Sequence, residues 1–355
     1  MNATTLLEKT KHYPVMLDQI LSIISPQHGG TFIDCTFGAG GYSKAILNFP
    51  NTKVIAIDRD SETFQFAKDL STKFPKRFSF FKEKFSNLGK IVKSDLKPKA
   101  IIFDLGLSSL QLSDKKRGFS FESKNFLNME MGINKYSAHE VVNTLDKDFL
   151  SKIIKILGDE KDGKIIANKI DQYRKKKTIE SSKELASIIS KVKKRKNYYK
   201  KNPATKTFQA IRIFVNQEMT ELILGLIEAS KLLSNDGKLL VVSFHSLEDK
   251  IVKNFFNLYS NLRKKTSRYL PEEDNKSILF NVSYKKPIVP DLKEIKSNAR
   301  SRSAKLRYAT RNKNLSYYID DFKKNFQNYF ELEGSRLWLI KIGGLILLII
   351  QKHHP

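Results

Sequence analysis

The chain has 355 residues, 40% hydrophobic and 11% aromatic, which is enough to fill a core and excludes disorder over most of its length. Its net charge of +27 and pI of about 9.8 point to a polyanionic partner such as nucleic acid, although Lys, Asn, Ile and Phe are frequent throughout and a general compositional bias gives the same sign. One cysteine, Cys35, excludes a disulfide framework and a cysteine zinc site. The start, MNATTLLEKTKHYP, carries no long apolar run with a cleavage site, so a cytoplasmic setting is expected.

In chain order, 14–24 has apolar spacing near 3.6 and predicts a helix, and 31–37 predicts a strand. Gly38 to Gly41 form a turn that opens a helix reaching about Leu47. KVIAIDRD (53–60) is a second buried strand ending in acids, 61–74 a serine-capped helix, FSFFKEKF (78–85) a third strand and PKAIIFDLGLSS (98–109) a fourth. Strands alternating with helices predict an α/β fold with a mostly parallel, doubly wound sheet. Residues 105–132 have too few regular apolar positions for a helix and read as one long loop, a length usually functional. From about Tyr136 to Lys201 only helical periodicity and basic runs remain. Alternation resumes with one long helix over 205–233, a turn at Asn235–Gly237, a strand over 238–244 and a helix over 246–259. Residues 279–289 and 303–311 look like a closing antiparallel pair.

The expected organisation is therefore a core in two parts, 1–135 and 203–311, interrupted by a basic helical insertion at 136–202 and followed by an extension at 312–355. Within 174–206 stand 13 Lys or Arg against two Glu, the footprint expected for an RNA backbone, though a solvated face would look similar. Leu337 to Ile350 is apolar but short of the roughly 20 residues that span a bilayer, so a peripheral helix or a packing segment is expected rather than stable membrane insertion.

A strand, a glycine turn, a helix and an acid ending the next strand are the layout of an adenosine cofactor site. Asp58 lies 20 residues after Gly38, where a carboxylate reaches a ribose hydroxyl pair. The spacing does not separate NAD from S-adenosylmethionine. The turn lacks the third glycine of GxGxxG, carries no Lys or Arg for a pyrophosphate, and is no P-loop. Asp104 closes the fourth strand, which brings Gly40, Asp58 and Asp104 to one crevice, unless Asp104 is only a turn or cap residue.

HYPVML (12–17), DCTFGAGGYS (34–43), AIDRD (56–60), FDLGLSS (103–109), RGFSF (117–121), TKTFQAIRIFVNQE (205–218), SFHSLEDKIVK (243–253) and NARSRSAKLR (298–307) follow one another in an order that resembles the ribosomal RNA small-subunit methyltransferase H family, also called MraW. The resemblance runs from about residue 11 to 311. It implies a Rossmann-like class I methyltransferase with an inserted all-helical domain. It also implies S-adenosyl-L-methionine as methyl donor, and methylation of the exocyclic N4 of a cytidine in the decoding region of bacterial 16S ribosomal RNA. Carried over position by position, the family's cofactor contacts fall on Gly40, Gly41, Tyr42, Asp58, Phe85, Asp104 and Gln111. The chain departs from the pattern at Tyr42 (commonly His), Ala39 (often Arg), Leu110 (usually Pro), and Asn128 and Gly132 (usually Asp), the last two putting a catalytic role for those carboxylates in doubt.

Cytosine's amino lone pair is delocalised into the ring, so the reaction needs alignment and an acceptor for an amino proton. Candidates near the fourth and fifth strands are Asp104, Ser108, Ser109 and His245, the last of which also suits a hydrogen-bonded turn. Phe119, Phe121 and Phe126 are candidates for base stacking or for ordinary loop core, and Arg212 for a phosphate contact or a core-edge position. No metal site is visible, and the oligomeric state, a homodimer included, is left open. The competing readings are a nicotinamide-dependent oxidoreductase, which leaves the basic insertion without a purpose, and a non-catalytic ribosome-assembly or RNA-binding protein that keeps the fold.

Overall fold

The computed structural model describes residues 13–93, 95–134, 136–193, 202–262, 278–312, 321–334, 339–342 and 345–348. In chain order the elements are α1 (Leu17–Ile24), β1 (Gly30–Asp34), α2 (Gly41–Leu47), β2 (Thr52–Asp58), α3 (Phe64–Lys73), β3 (Phe78–Lys82), α4 (Leu88–Ile91), β4 (Ala100–Asp104), α5 (Ser109–Ser113), α6 (Ala138–Thr144), α7 (Lys147–Gly158), α8 (Gly163–Arg174), α9 (Ser182–Lys193), α10 (Thr205–Asn216), α11 (Glu218–Leu232), β5 (Lys238–Ser243), α12 (Ser246–Tyr259), β6 (Phe280–Asn281), α13 (Leu292–Ser297), β7 (Lys305–Arg311), α14 (Asp321–Lys324), α15 (Gln327–Gly334), β8 (Leu339–Ile342) and β9 (Leu345–Leu348). They group into two compact units, 1–109 with 221–325 and 110–220 with 326–355.

The first unit is built on a seven-stranded sheet in the order β3-β2-β1-β4-β5-β7-β6. β1 pairs in parallel with both β2 and β4, and β4 with β5, whereas β7 runs antiparallel to β5 along its whole length. The central strands are apolar on both faces because helices cover both. On one side Phe32, Ile102, Leu240, Val242 and Leu306 pack with Leu17, Ile20, Ile46 and Leu70. On the other, Phe103 meets Phe85 edge-on at 5.3 Å, and both rings lie against Gly225 of α11, where a Cβ would come within 2.7 Å of Phe85. The predicted closing antiparallel pair is present but short: 279–289 contributes the two residues of β6 and a bridge from Ile288 to Leu306, while β7 pairs more extensively with β5 on its other side.

The second unit is helical. α7 and α10 approach so closely that a Cβ on Gly158 would lie 2.5 Å from the Lys206 carbonyl oxygen, so glycine here is a packing requirement. The unit spans more of the chain than the 136–202 assigned to the insertion. Residues 127–134 belong to it because Asn216 clamps them, its Oδ1 accepting from the Met131 N–H at 2.9 Å and its Nδ2 donating to the Met129 carbonyl at 2.8 Å. The predicted loop 105–132 contains the short helix α5. The single helix predicted over 205–233 is two, because Gln217 takes a left-handed conformation (φ 53°). One such residue breaks the helix yet hardly disturbs apolar periodicity. Arg212 spans the break as a fork onto Glu218, with Nε and Nη2 each 2.8 Å from a carboxylate oxygen.

The chain beyond 312 enters both units. Phe322 of α14 is fully buried and packs edge-on to Phe255 at 4.9 Å. In the second unit the Glu333 carboxylate accepts the Met219 and Thr220 N–H groups at 3.2 and 2.8 Å, capping the exposed donors at the start of α11. Of the apolar run 337–350, the described residues form the antiparallel hairpin β8–β9, correcting the expected peripheral helix; residues 337–338, 343–344 and 349–350 lie outside the described residues. No helix among the described residues is long and apolar enough to cross a membrane.

Glu333→Ala leaves two helix-start donors without their acceptor and should lower unfolding free energy by about 1–2 kcal/mol. Glu333→Gln, which keeps an acceptor oxygen, should recover most of that loss in urea titrations of the full chain.

Candidate active site

In an open parallel sheet, the neighbours of the first strand leave in opposite directions, and the gap at the strands' carboxyl ends is where a ligand fits. Here that point lies between β1 and β4. Three aspartates end the strands around it: Asp34 on β1, Asp58 on β2 and Asp104 on β4.

Asp58 shapes the glycine turn. Its Oδ2 accepts the Gly38 N–H at 2.8 Å and its Oδ1 the Asp60 N–H at 2.9 Å. Gly38 and Gly40 both have positive φ, 54° and 78°. Their surroundings differ. A Cβ on Gly40 would lie 2.8 Å from the Phe37 ring and 2.9 Å from Leu70, and one on Gly41 would lie 2.3 Å from Pro14, whereas one on Gly38 would meet nothing nearer than 4.0 Å. Gly40 and Gly41 are therefore demanded by the fold, and Gly38 is the turn glycine with open space beside it.

Asp34 is fully buried; its Oδ2 accepts from the Ser43 hydroxyl at 2.7 Å and its Oδ1 from the Thr36 N–H at 3.3 Å. Thr36 in turn accepts the Asp104 N–H through its Oγ1 at 2.7 Å, which locks the end of β4 to the turn after β1. The Asp104 side chain is the odd one. Its Oδ1 is fully enclosed and has no hydrogen-bond partner. The buried Tyr42 phenol, which donates to the Val15 carbonyl, stands beside the Asp104 carboxyl.

Among the described residues, no Lys or Arg is among the largest influences on these carboxyls. Burial pushes Asp34 and Asp58 up to about 6, and burial together with the Asp34 charge pushes Asp104 up to about 8. The orphaned oxygen and the surplus of carboxylate fit a cationic ligand, and they fit a pyrophosphate badly.

The remaining predicted residues divide. Phe85 is half-buried after β3 and forms an apolar wall with Phe103. Ser108 is half-buried near Gly38, and Ser109 is the first residue of α5. Gln111 belongs to the second unit, where it is buried. His245 is the N-cap of α12: its Nδ1 accepts the Glu248 N–H at 3.4 Å, while the buried Glu248 carboxylate accepts the Phe244 and His245 N–H groups at 2.7 and 3.2 Å. That reciprocal box is a structural task. Of the three loop phenylalanines, Phe119 is buried, Phe121 packs edge-on to Phe208 at 4.8 Å, and Phe126 is 49% exposed with its ring 4.8 Å from His139. The basic stretch 174–206 is described except for 194–201. Within it Arg174 and Lys175 pair with Asp171, Lys177 with Glu184, Lys193 with Glu160 and Lys206 with Asp159, which reduces its free charge. Asp34, Thr36 and Ser43 were missed by sequence reasoning. Their only signal is an acid at the last position of an apolar strand.

The family described as the MraW methylase family matches residues 9–312. A relative named ribosomal RNA small subunit methyltransferase H from Ehrlichia canis is 44% identical over 303 residues, covering 83% of this chain and 98% of its own. One of the same name from a Wolbachia of Drosophila simulans is 46% identical over 299 residues, covering 83% and 97%. Among solved structures, an rRNA methylase from Streptococcus thermophilus aligns over 82% of this chain and 95% of its own, at 10% identity and a TM-score of 0.34.

The raised Asp104 carboxyl has a signed consequence. Its folded pKa exceeds the usual carboxylate value, so the folded state binds more protons, and stability from this group is full at low pH and lost as pH rises toward about 8. Relative to wild type, Asp104→Asn should remove a pH slope of at most about 1.4 kcal/mol per pH unit over that window. Parallel curves for the two proteins from pH 5 to 9, in denaturant titrations, would contradict it.

Proposed function

We infer, for a chain that belongs to the MraW methylase family, that it is an S-adenosyl-L-methionine-dependent methyltransferase acting on the exocyclic N4 of a cytidine in 16S ribosomal RNA. The single observation that carries the mechanism is the Asp34–Asp58–Asp104 edge, with the enclosed, unpartnered Oδ1 of Asp104. This reading places it in the cytoplasm, where small ribosomal subunits are made.

The donor supplies a methyl carbon bonded to a positively charged sulfur, which leaves with the bonding electron pair. Asp58, already fixed by the Gly38 and Asp60 N–H groups, keeps acceptor capacity for ribose hydroxyls. Phe85 and Phe103 give an apolar wall for the adenine. Gly38 leaves room for the ligand's close approach, and Asp104 faces its positive charge. Tyr42 acts by position, tying 13–16 to the site through Val15.

A positive charge beside Asp104 favours its ionised form, so binding should expel a proton from this carboxyl. With no cation beside it, burial and the Asp34 charge raise the Asp104 carboxyl to about 8, so it would take up a proton at neutral pH. The cytidine amino group has to give up a proton, and Asp104 is the acceptor this reading favours, with Ser108, half-buried near Gly38, as a further hydrogen-bonding candidate. His245 is committed to the helix cap and serves as a positioning residue. The target base must be unstacked to meet the methyl group in line.

The decisive experiment is radiolabelled methyl transfer to small subunits that lack the modification. Wild type should deposit label in N4-methylcytidine. Asp104→Asn should lower kcat by 100-fold or more, on the order of what a positioned proton acceptor contributes, while remaining folded by circular dichroism. Cofactor binding with no label from wild type would instead favour the assembly-protein reading, for which the loss of carboxylates at Asn128 and Gly132 is the motive.

A further inference from the structure

We propose that the outer face of segment 284–302, on the first unit, is a binding surface for single-stranded RNA next to the target base. The inference rests on the methyltransferase reading and adds to it a place for the RNA.

Position comes first. Ser243, the last residue of β5, is paired with Lys305, the first of β7. The start of β7 therefore lies at the carboxyl end of the parallel strands, the end that carries Asp34, Asp58 and Asp104. Residues 284–289 run beside it, because Ile288 and Leu306 exchange both backbone hydrogen bonds at 2.9 Å. α13 then ties the segment to the residues before α1. Glu294 accepts the Met16 N–H at 2.7 Å, and Asn298 donates to the Tyr13 carbonyl at 3.2 Å. The Val15 carbonyl between them receives the Tyr42 hydroxyl. The face is thus anchored, through two short links, to the rim of the carboxylate crevice.

Chemistry comes second. Tyr284 is 64% exposed, with its ring 6.5 Å from that of Tyr308, and Val289 is 60% exposed. Around them Lys285, Lys286 and Arg302 are exposed, and among the described residues none of the three forms an ion pair. The neighbouring cations of β7 differ: Lys305 and Arg307 are both held by Asp249, at 3.1 and 2.7 Å, so they stiffen the strand and leave the outward charge to the loop. Arg307 also donates to the Lys285 carbonyl at 2.9 Å, which fixes the backbone that carries the lysines.

Unpaired cations interleaved with an exposed aromatic ring are the pattern that binds unpaired nucleotides: the ring takes a base face and the cations take the phosphates. A duplex offers no free base face, so the surface selects single-stranded or looped RNA. The described part of the basic stretch 174–206 has no comparable set, since most of its long cations are engaged within their own unit.

The test uses the full chain with Tyr284→Ala, Tyr284→Phe and the double change Lys285→Gln/Lys286→Gln. The probes are a fluorescent single-stranded pyrimidine RNA, a duplex of the same length and vesicles containing phosphatidylserine. Tyr284→Ala should weaken single-stranded binding roughly 5- to 50-fold, with Tyr284→Phe close to wild type. The lysine pair should flatten the slope of log affinity on log salt by about 1.4, two contacts at about 0.7 each. KM for small subunits should rise with kcat and cofactor affinity unchanged. Wild-type RNA affinity in all three variants overturns the proposal, as does a loss confined to vesicles or equal for duplex and single strand. If wild type methylates subunits while the variants bind RNA normally, this surface is wrong and the function stands. If wild type transfers no methyl group, the function is wrong and the single-stranded RNA arm alone decides the surface.

Discussion

Carboxylates held out of water without cations are the constraint on which the rest of the carboxyl edge depends. Asp58 spends two acceptor positions on Gly38 and Asp60 and so sets the path of the glycine turn. Asp34 is held by Ser43 and Thr36, and the same Thr36 accepts the N–H of Asp104, so strands β1 and β4 end in one connected set of hydrogen bonds. The cost of that arrangement is concentrated at Asp104, whose enclosed Oδ1 has nothing to accept from. A buried acceptor in that state is expensive, and a ligand with a positive charge or a donor group would offset the cost.

Much of this was legible in the sequence, and the exceptions have physical causes. Each parallel strand announced itself as a short apolar run, and the Gly38–Asp58 spacing marked the crevice because both residues belong to one strand–turn–helix–strand unit. Asp34 did not, because nothing local distinguishes it from a capping acid; its role depends on β4 lying beside β1, a pairing that sequence distance hides. The break at Gln217 was invisible for a related reason. A single left-handed residue costs little and leaves the apolar stripe nearly in phase. The antiparallel pairing of 279–289 with β7 was legible, but β7's longer pairing with β5 was not, because strand order along the sheet is decided by the whole topology. For His245 the sequence left a base and a hydrogen-bonded turn both open, and its capping box with Glu248 matches the second.

Charge gives a second contrast. The excess of 27 positive charges was densest in 174–206, yet many of the cations described there are paired with Asp or Glu of their own unit. The less conspicuous segment 284–302 keeps its exposed lysines beside an exposed tyrosine. Density along the chain and availability at the surface are different quantities, and only the second recruits a polyanion.

On the proposed reading the carboxyl edge would also give the cycle a direction. The methyl donor is a sulfonium cation and its product a neutral thioether. Carboxyls raised by burial, Asp104 most of all, would be ionised by the first and not by the second, so the attraction that fills the site would weaken with the chemistry itself.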